Sequence, residues 1–310
     1  MKTNDTGKKE RRFKRLLTGF QIRRDLAKAP KCFLISASSL FTFIIKTPDI
    51  NLSLILTGFS VFILTCGGAT LNNYQDRHLD LQMQRTQNRP LPSQKISHRE
   101  TLVQAVFLIF LGMVGLYLID AYIPLPLLGA AAILSYNFIY TPLKTKSIMA
   151  IFPGAVCGML PPCIGWLAAG GNIDSLTLWS VMAMFGLWQL PHYWLILLHH
   201  RQDYHHSKIP NMLNIFSVPQ LRKILFVWVV VFAVMSFALP MSNAIVTDAA
   251  CLLLLFNAGY LSGNFAYQFF VKSGSYNYKN LLVHLNVSIV FVMFLGALDR
   301  LILFSPILFK

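Results

Sequence analysis

Nine apolar runs, separated by polar connections that are alternately short and long, dominate the pattern of hydrophobic and polar positions along this chain. They fall at about 32–46, 52–73, 102–119, 124–140, 148–169, 176–198, 224–240, 244–270 and 281–304. Runs near twenty residues match the hydrocarbon thickness of a bilayer at the rise of an α-helix. Apolar and polar residues do not alternate within them, which excludes a strand barrel. Hydrocarbon offers unpaired backbone groups no partner, so helices are the expected form. The pattern predicts an all-α polytopic membrane bundle of about nine transmembrane helices. The first run is the shortest and is rich in Ser and Thr.

Composition agrees: 55% of the residues are hydrophobic and 13% charged, against roughly a quarter charged in soluble domains. The positions of the basic residues give a topology. With the N-terminal end taken as cytoplasmic, 24 of the 27 lysines and arginines fall on that side, as the positive-inside rule requires. Topology and anionic lipid headgroups then account for the net charge of +15. The charge is divided among membrane loops, which argues against a nucleic-acid partner. The N-terminus lacks an adjoining signal-peptide core, and Asp5, Glu10 and Asp25 argue against an organellar presequence. The organisation expected is a basic cytoplasmic segment, 1–31, followed by one transmembrane domain, 32–310. Cys32, Cys66, Cys157, Cys163 and Cys251 form no CxxC pair, so they read as small buried hydrophobes rather than a disulfide or zinc framework.

External connections are short, whereas the internal ones, 74–100, 140–147, 199–223 and 271–280, are long and polar. Chemistry is therefore expected at the inner ends of the helices. The richest stretch is NNYQDRHLDLQMQRTQNRPLP, residues 72–92. Asn72, Asp76 and Asp80 recur at intervals of four, which keeps them on one helical face. Two carboxylates one turn apart repel unless paired. A magnesium ion relieves that repulsion and normally completes its shell with phosphate oxygens, while Arg77, Arg85 and Arg89 offer forked hydrogen bonds to phosphate. Solvated acids capped by arginines at a helix end would give the same spacing, and periodicity alone leaves both readings open.

The wording of the stretch goes further. DRHLDLQMQRTQNRPL resembles the first aspartate-rich motif of the UbiA superfamily of intramembrane prenyltransferases, and within it the branch that farnesylates heme. YTPLKTKS (140–147), GAVCGMLPPCIGW (154–166), WQLPHYW (188–194) and QDYHHSKIP (202–210) resemble further motifs of that branch. The likeness runs from about residue 30 to about residue 300. His78 stands where an acidic residue is common. The second acidic motif of the quinone-prenylating members is reduced here to Asp203, with Ser207 at its second position, which fits the heme branch better.

The resemblance implies a UbiA-type fold and transfer of a farnesyl group from farnesyl diphosphate to heme b. It implies Mg2+ held by Asp76, Asp80 and Asp203 with Asn72, and catalytic roles for those aspartates with Arg77 and Lys144. Substrate-binding candidates are Asn72, Arg85, Asn88, Arg89, Asn137, Tyr140, Gln189, His192 and Tyr204. Asn137 equally suits helix–helix hydrogen bonding, and His192 equally suits packing between Trp188 and Trp194. His199, His200, His205 and His206 bracket a loop that also needs basic character, so a zinc site does not follow from them. A bacterial inner-membrane location and partners such as heme A synthase or oxidase assembly proteins are further implications. Two rival readings remain: prenylation of a quinone precursor, and a transporter whose acids line an ion path.

Overall fold

A computed structural model describes residues 17–121, 123–206, 209–272 and 276–304. Ser207, Lys208, Lys310 and the basic residues from Lys2 to Arg15 lie outside them. Every regular element among the described residues is helical. The long helices are α1 (Ala29–Lys46), α2 (Leu52–Gln75), α3 (His98–Tyr117), α4 (Leu125–Ile133), α5 (Ile151–Ala168), α6 (Leu176–His199), α7 (Val218–Met235), α8 (Asp248–Ala266) and α9 (Tyr278–Phe304). α4 continues through a π-helical turn, Leu134–Tyr140, into Thr141–Leu143, and α8 ends in a second such turn, Tyr267–Val271.

Eight of these segments are long and apolar enough to cross a bilayer, and α4 is the exception. The path of the chain nevertheless requires α4 to traverse the bundle. α3 starts beside the end of α2, where His98 lies edge-on to Tyr74 at 6.1 Å, and runs away from it. Only a return along α4 brings Lys144 back to Asp76 at that same end.

Helix starts are set by capping more than by apolarity. Ser97 and Glu100 form a reciprocal capping box, so α3 begins at His98 and takes in polar residues that the hydropathy pattern leaves in a loop. Ser217 and Gln220 do the same for α7, which begins at Val218 rather than near 224. The Ser and Thr content of α1 is explained by its interior position. Ser36 donates to the Gly58 carbonyl of α2 at 2.6 Å, and Thr42 donates to the Pro162 carbonyl of α5 at 2.7 Å. In hydrocarbon, small hydroxyl residues let helices approach and bond across the gap.

α6 is the most buried span and packs against α5, α7 and α9, while α1 joins α2, α5 and α9. α2 and α3 make the closest pair. A Cβ on Gly67 would stand 2.7 Å from the Ile109 backbone nitrogen, and one on Gly112 would stand 2.7 Å from that of Leu64. Neither neighbour is a side-chain tip that can swing aside. Gly112→Val is therefore expected to destabilise the protein by about 2 kcal/mol through overpacking, read as a lower midpoint of thermal unfolding in detergent; an unchanged midpoint would refute this account of the α2–α3 contact.

Candidate active site

α2 ends at Gln75, Asp76 follows, and Arg77–Asp80 forms one further helical turn. Asn72, Asp76 and Asp80 are all buried, with no more than 7% of any of them exposed. Charges in that setting must be paired, and the partners come from elsewhere in the chain. Asp76 Oδ2 accepts from Lys144 Nζ at 2.5 Å and from Asn72 Nδ2 at 3.0 Å. Both Asp80 oxygens accept from Arg89 Nη1 at 2.9 Å. Thr86 donates to the Asp80 carbonyl at 2.9 Å, curling the RTQNRPL loop back over the helix end.

These groups face a cavity of about 270 Å³ whose walls include Lys28, Asn72, Asp76, Asp80, Arg85, Arg89, Tyr136, Tyr140, Lys144, Tyr193 and Tyr204. Lys28, Arg85, Arg89 and Lys144 there oppose only two carboxylates, so the cavity is short of negative charge. Tyr136 and Tyr140 stack at 5.8 Å, and Tyr193 lies 6.1 Å from Tyr140, giving one aromatic wall.

The other candidates are spread around this centre. Arg77 turns back on its own helix, donating to the Tyr74 carbonyl at 2.8 Å with its guanidinium 4.4 Å from the Tyr74 ring. Asn88 is exposed. Asn137 joins α4 to α2, donating to the Gly68 carbonyl and to Gln75 Oε1, each at 3.0 Å. Gln189 joins α6 to α5 by donating to the Ala155 carbonyl at 2.9 Å. His192 Nδ1 lies 2.9 Å from Asn286 Oδ1, and its ring sits 4.6 Å from that of Trp188. Asp203 accepts from the Arg85 backbone N–H at 3.4 Å. It lines a neighbouring recess, which meets the first cavity at Arg85.

Lys28 is the residue that the sequence pattern conceals among topology charges. It takes a left-handed conformation, φ 52° and ψ 37°, at the start of α1, and its Nζ donates to Asn72 Oδ1 at 2.9 Å. Burial, and after it the Arg89 charge, lowers its pKa to about 7. Asn73 fixes the end of the preceding helical segment, 17–26, by donating to the Leu26 carbonyl at 2.5 Å. Leu26 itself is fully buried against Leu91 and Ile96. Tyr136 and Tyr193 were likewise hidden, although Tyr136 is spaced four residues before Tyr140.

Among the described residues no three His, Cys, Asp or Glu side chains come together as protein ligands for a metal. The donor set that does converge is two carboxylates and a carboxamide oxygen, hard ligands facing a cavity with basic walls. That set suits a cation such as Mg2+, which takes one or two carboxylates and completes its shell with water and phosphate.

Two buried carboxylates beside a basic, tyrosine-walled cavity lie together at the ends of α2 and α4, and the chain belongs to the UbiA prenyltransferase family, which its residues 33–297 match. Among its relatives, the protoheme IX farnesyltransferase of Oleidesulfovibrio alaskensis is 32% identical over 87% of this chain and 93% of its own. That of Nitratidesulfovibrio vulgaris is 32% identical over 67% of this chain and 72% of its own. The fold is shared with a UbiA homolog from Archaeoglobus fulgidus solved with GPP and Mg2+, at a TM-score of 0.68, 16% identity and coverage of 90% of this chain and 99% of that one.

Arg89→Gln leaves Asp80 buried without its cation and is expected to cost about 3 kcal/mol. Asp80→Asn in the same background should return most of that stability. A thermal-unfolding double-mutant cycle in detergent measures the coupling, and additive losses would show that the pair holds nothing together.

Proposed function

We propose that this prenyltransferase moves a farnesyl group from farnesyl diphosphate to the 2-vinyl group of heme b, giving heme O and diphosphate. The observation that carries the transfer chemistry is the pair of buried carboxylates, Asp76 and Asp80, facing one cavity with Lys28, Arg85, Arg89 and Lys144. The motif resemblance and the names of the relatives support heme b as the acceptor.

Asp76 and Asp80, with Asn72, would hold Mg2+, which when bound supplies positive charge to neutralise the leaving diphosphate. Lys144 and Arg89, now paired with those carboxylates, are placed to turn to diphosphate oxygens once the carboxylates have another cation. Lys28 and Arg85 complete the basic lining. As the carbon–oxygen bond breaks, its electron pair leaves on diphosphate, and the faces of Tyr136, Tyr140 and Tyr193 stabilise the allylic cation. The vinyl π bond attacks that cation. Water captures the new cation beside the porphyrin and loses a proton, giving the hydroxyethylfarnesyl side chain. Exclusion of water by the bound substrates along the tyrosine wall would protect the first cation from early capture.

Asp203, Asn137 and Gln189 act in this reading as positioning residues, through the Arg85 backbone, α2 and α5 respectively. Arg77 braces the end of α2 from outside the cavity, and Tyr204 lines the cavity itself. In this reading the end of the bundle that carries the site faces the cytoplasm, which the basic loops support, and the membrane is a bacterial inner membrane.

Membranes holding the chain, given farnesyl diphosphate and heme b, should yield heme O by mass analysis of extracted hemes. Asp76→Asn should lower the rate at least about 100-fold, and chelation of divalent metal should abolish turnover until Mg2+ is returned. Turnover of 4-hydroxybenzoate in place of heme would defeat the acceptor assignment. An Asp76→Ala variant that keeps making heme O but no longer moves a solute would favour the transporter.

A further inference from the structure

The recess on the far side of Arg85 has a volume of about 840 Å³ and is unused by the chemistry above. Its walls carry Arg85, His199, His200 and Arg201 against a single carboxylate, Asp203, and it is closed on one side by Tyr276 and Tyr278. Against Tyr276 lies Arg222, with its guanidinium carbon 4.0 Å from the ring centroid. Arg222 Nε and Nη1 are buried and have no hydrogen-bond partner.

The positive-inside rule accounts for Arg201, which is exposed. It accounts for the side on which Arg222 lies but not for the burial of its Nε and Nη1. Guanidinium donors removed from water without an acceptor destabilise a fold, and such a group belongs beside an anion that arrives with a ligand. Burial, and then the charges of Arg85 and His199, also holds the His200 imidazole below its usual range, a further sign of surplus positive potential.

Resting on the reading of heme b as acceptor, we propose that this recess binds the two propionate carboxylates of the porphyrin, with Arg85 and Arg201 in its walls supplying the opposing charge and Arg222, stacked on the Tyr276 ring outside the lining, adding to it. Planar arginine forks match carboxylate geometry. The vinyl and propionate groups stand on different edges of the macrocycle. One ligand can therefore meet both spaces, with its reactive edge toward Asp76 and Asp80 and its acidic edge past Arg85. The dianion balances what Asp203 leaves uncompensated. The recess would then fix which vinyl group faces the farnesyl cation.

The test uses the full chain in phosphatidylcholine nanodiscs, with heme b and its dimethyl ester compared as acceptors. The KM for the diester should be roughly tenfold higher, the effect of about one lost charge-assisted contact. Arg222→Gln should raise the KM for heme b by a similar factor while leaving the KM values for the diester and for farnesyl diphosphate unchanged. Arg201→Gln, at an exposed position, should act in the same direction and carries the comparison if the Arg222 variant does not fold. Equal use of acid and diester by the unaltered chain, or equal losses on both in the variants, overturns the proposal. A defect of Arg222→Gln seen only when phosphatidylglycerol is added, and equal for both acceptors, would assign Arg222 to a lipid headgroup and also overturn it. Soret titration reads the same preference without turnover. Preference for the acid with no heme O formed would sink the reaction and keep the recess, whereas heme O formed with no preference would do the reverse.

Discussion

Burying two carboxylates at a helix end is possible here only because two cations reach them, and that requirement shapes the site. Asp76 takes its partner from 68 residues further along the chain, and Asp80 takes its partner from nine residues on. The first pair draws the end of α4 onto the end of α2. The second folds the RTQNRPL loop back across both. Lys28 adds a third tie by reaching Asn72 from the start of α1. Removing either cation would leave an unpaired buried carboxylate, so the geometry is enforced by electrostatics as well as by packing.

The same pairs hold the site ready for its ligands. Each carboxylate is ion-paired, and in the proposed reaction each basic side chain would find an alternative anion in diphosphate. Under that proposal, exchange of partners would let metal and substrate enter without leaving any charge bare, and the cost of desolvation would fall on folding rather than on binding. The heavy lining of basic groups then favours an anionic substrate with an apolar tail, while the tyrosine wall supplies π faces along its inner side.

Much of this was legible in the sequence because its causes are local. Apolar run length gives the spans, and four-residue spacing gives the shared face of Asn72, Asp76 and Asp80. The RTQNRPL wording gives the family. What stayed hidden depends on tertiary placement. Lys28 reads as one of many topology charges until the left-handed turn before α1 aims it inward. Arg77 sits between two site residues in sequence, yet its side chain is held by Tyr74 instead. The starts of α3 and α7 were missed because hydropathy does not register capping boxes. Asn137 had two readings from sequence, and its bonds to Gly68 and Gln75 make it a link between α2 and α4.

The π-helical turn at Leu134–Tyr140 carries a consequence for how such chains diverge. Widening one turn accommodates an extra residue, so everything after it is rotated by about 100° relative to an unbroken α-helix. Lys144 owes its heading to that offset. A chain shortened by a single residue here could keep the same apolar stripe and the same span across the bilayer. It would also keep the lysine facing Asp76, whereas straightening the turn without losing a residue would swing it away.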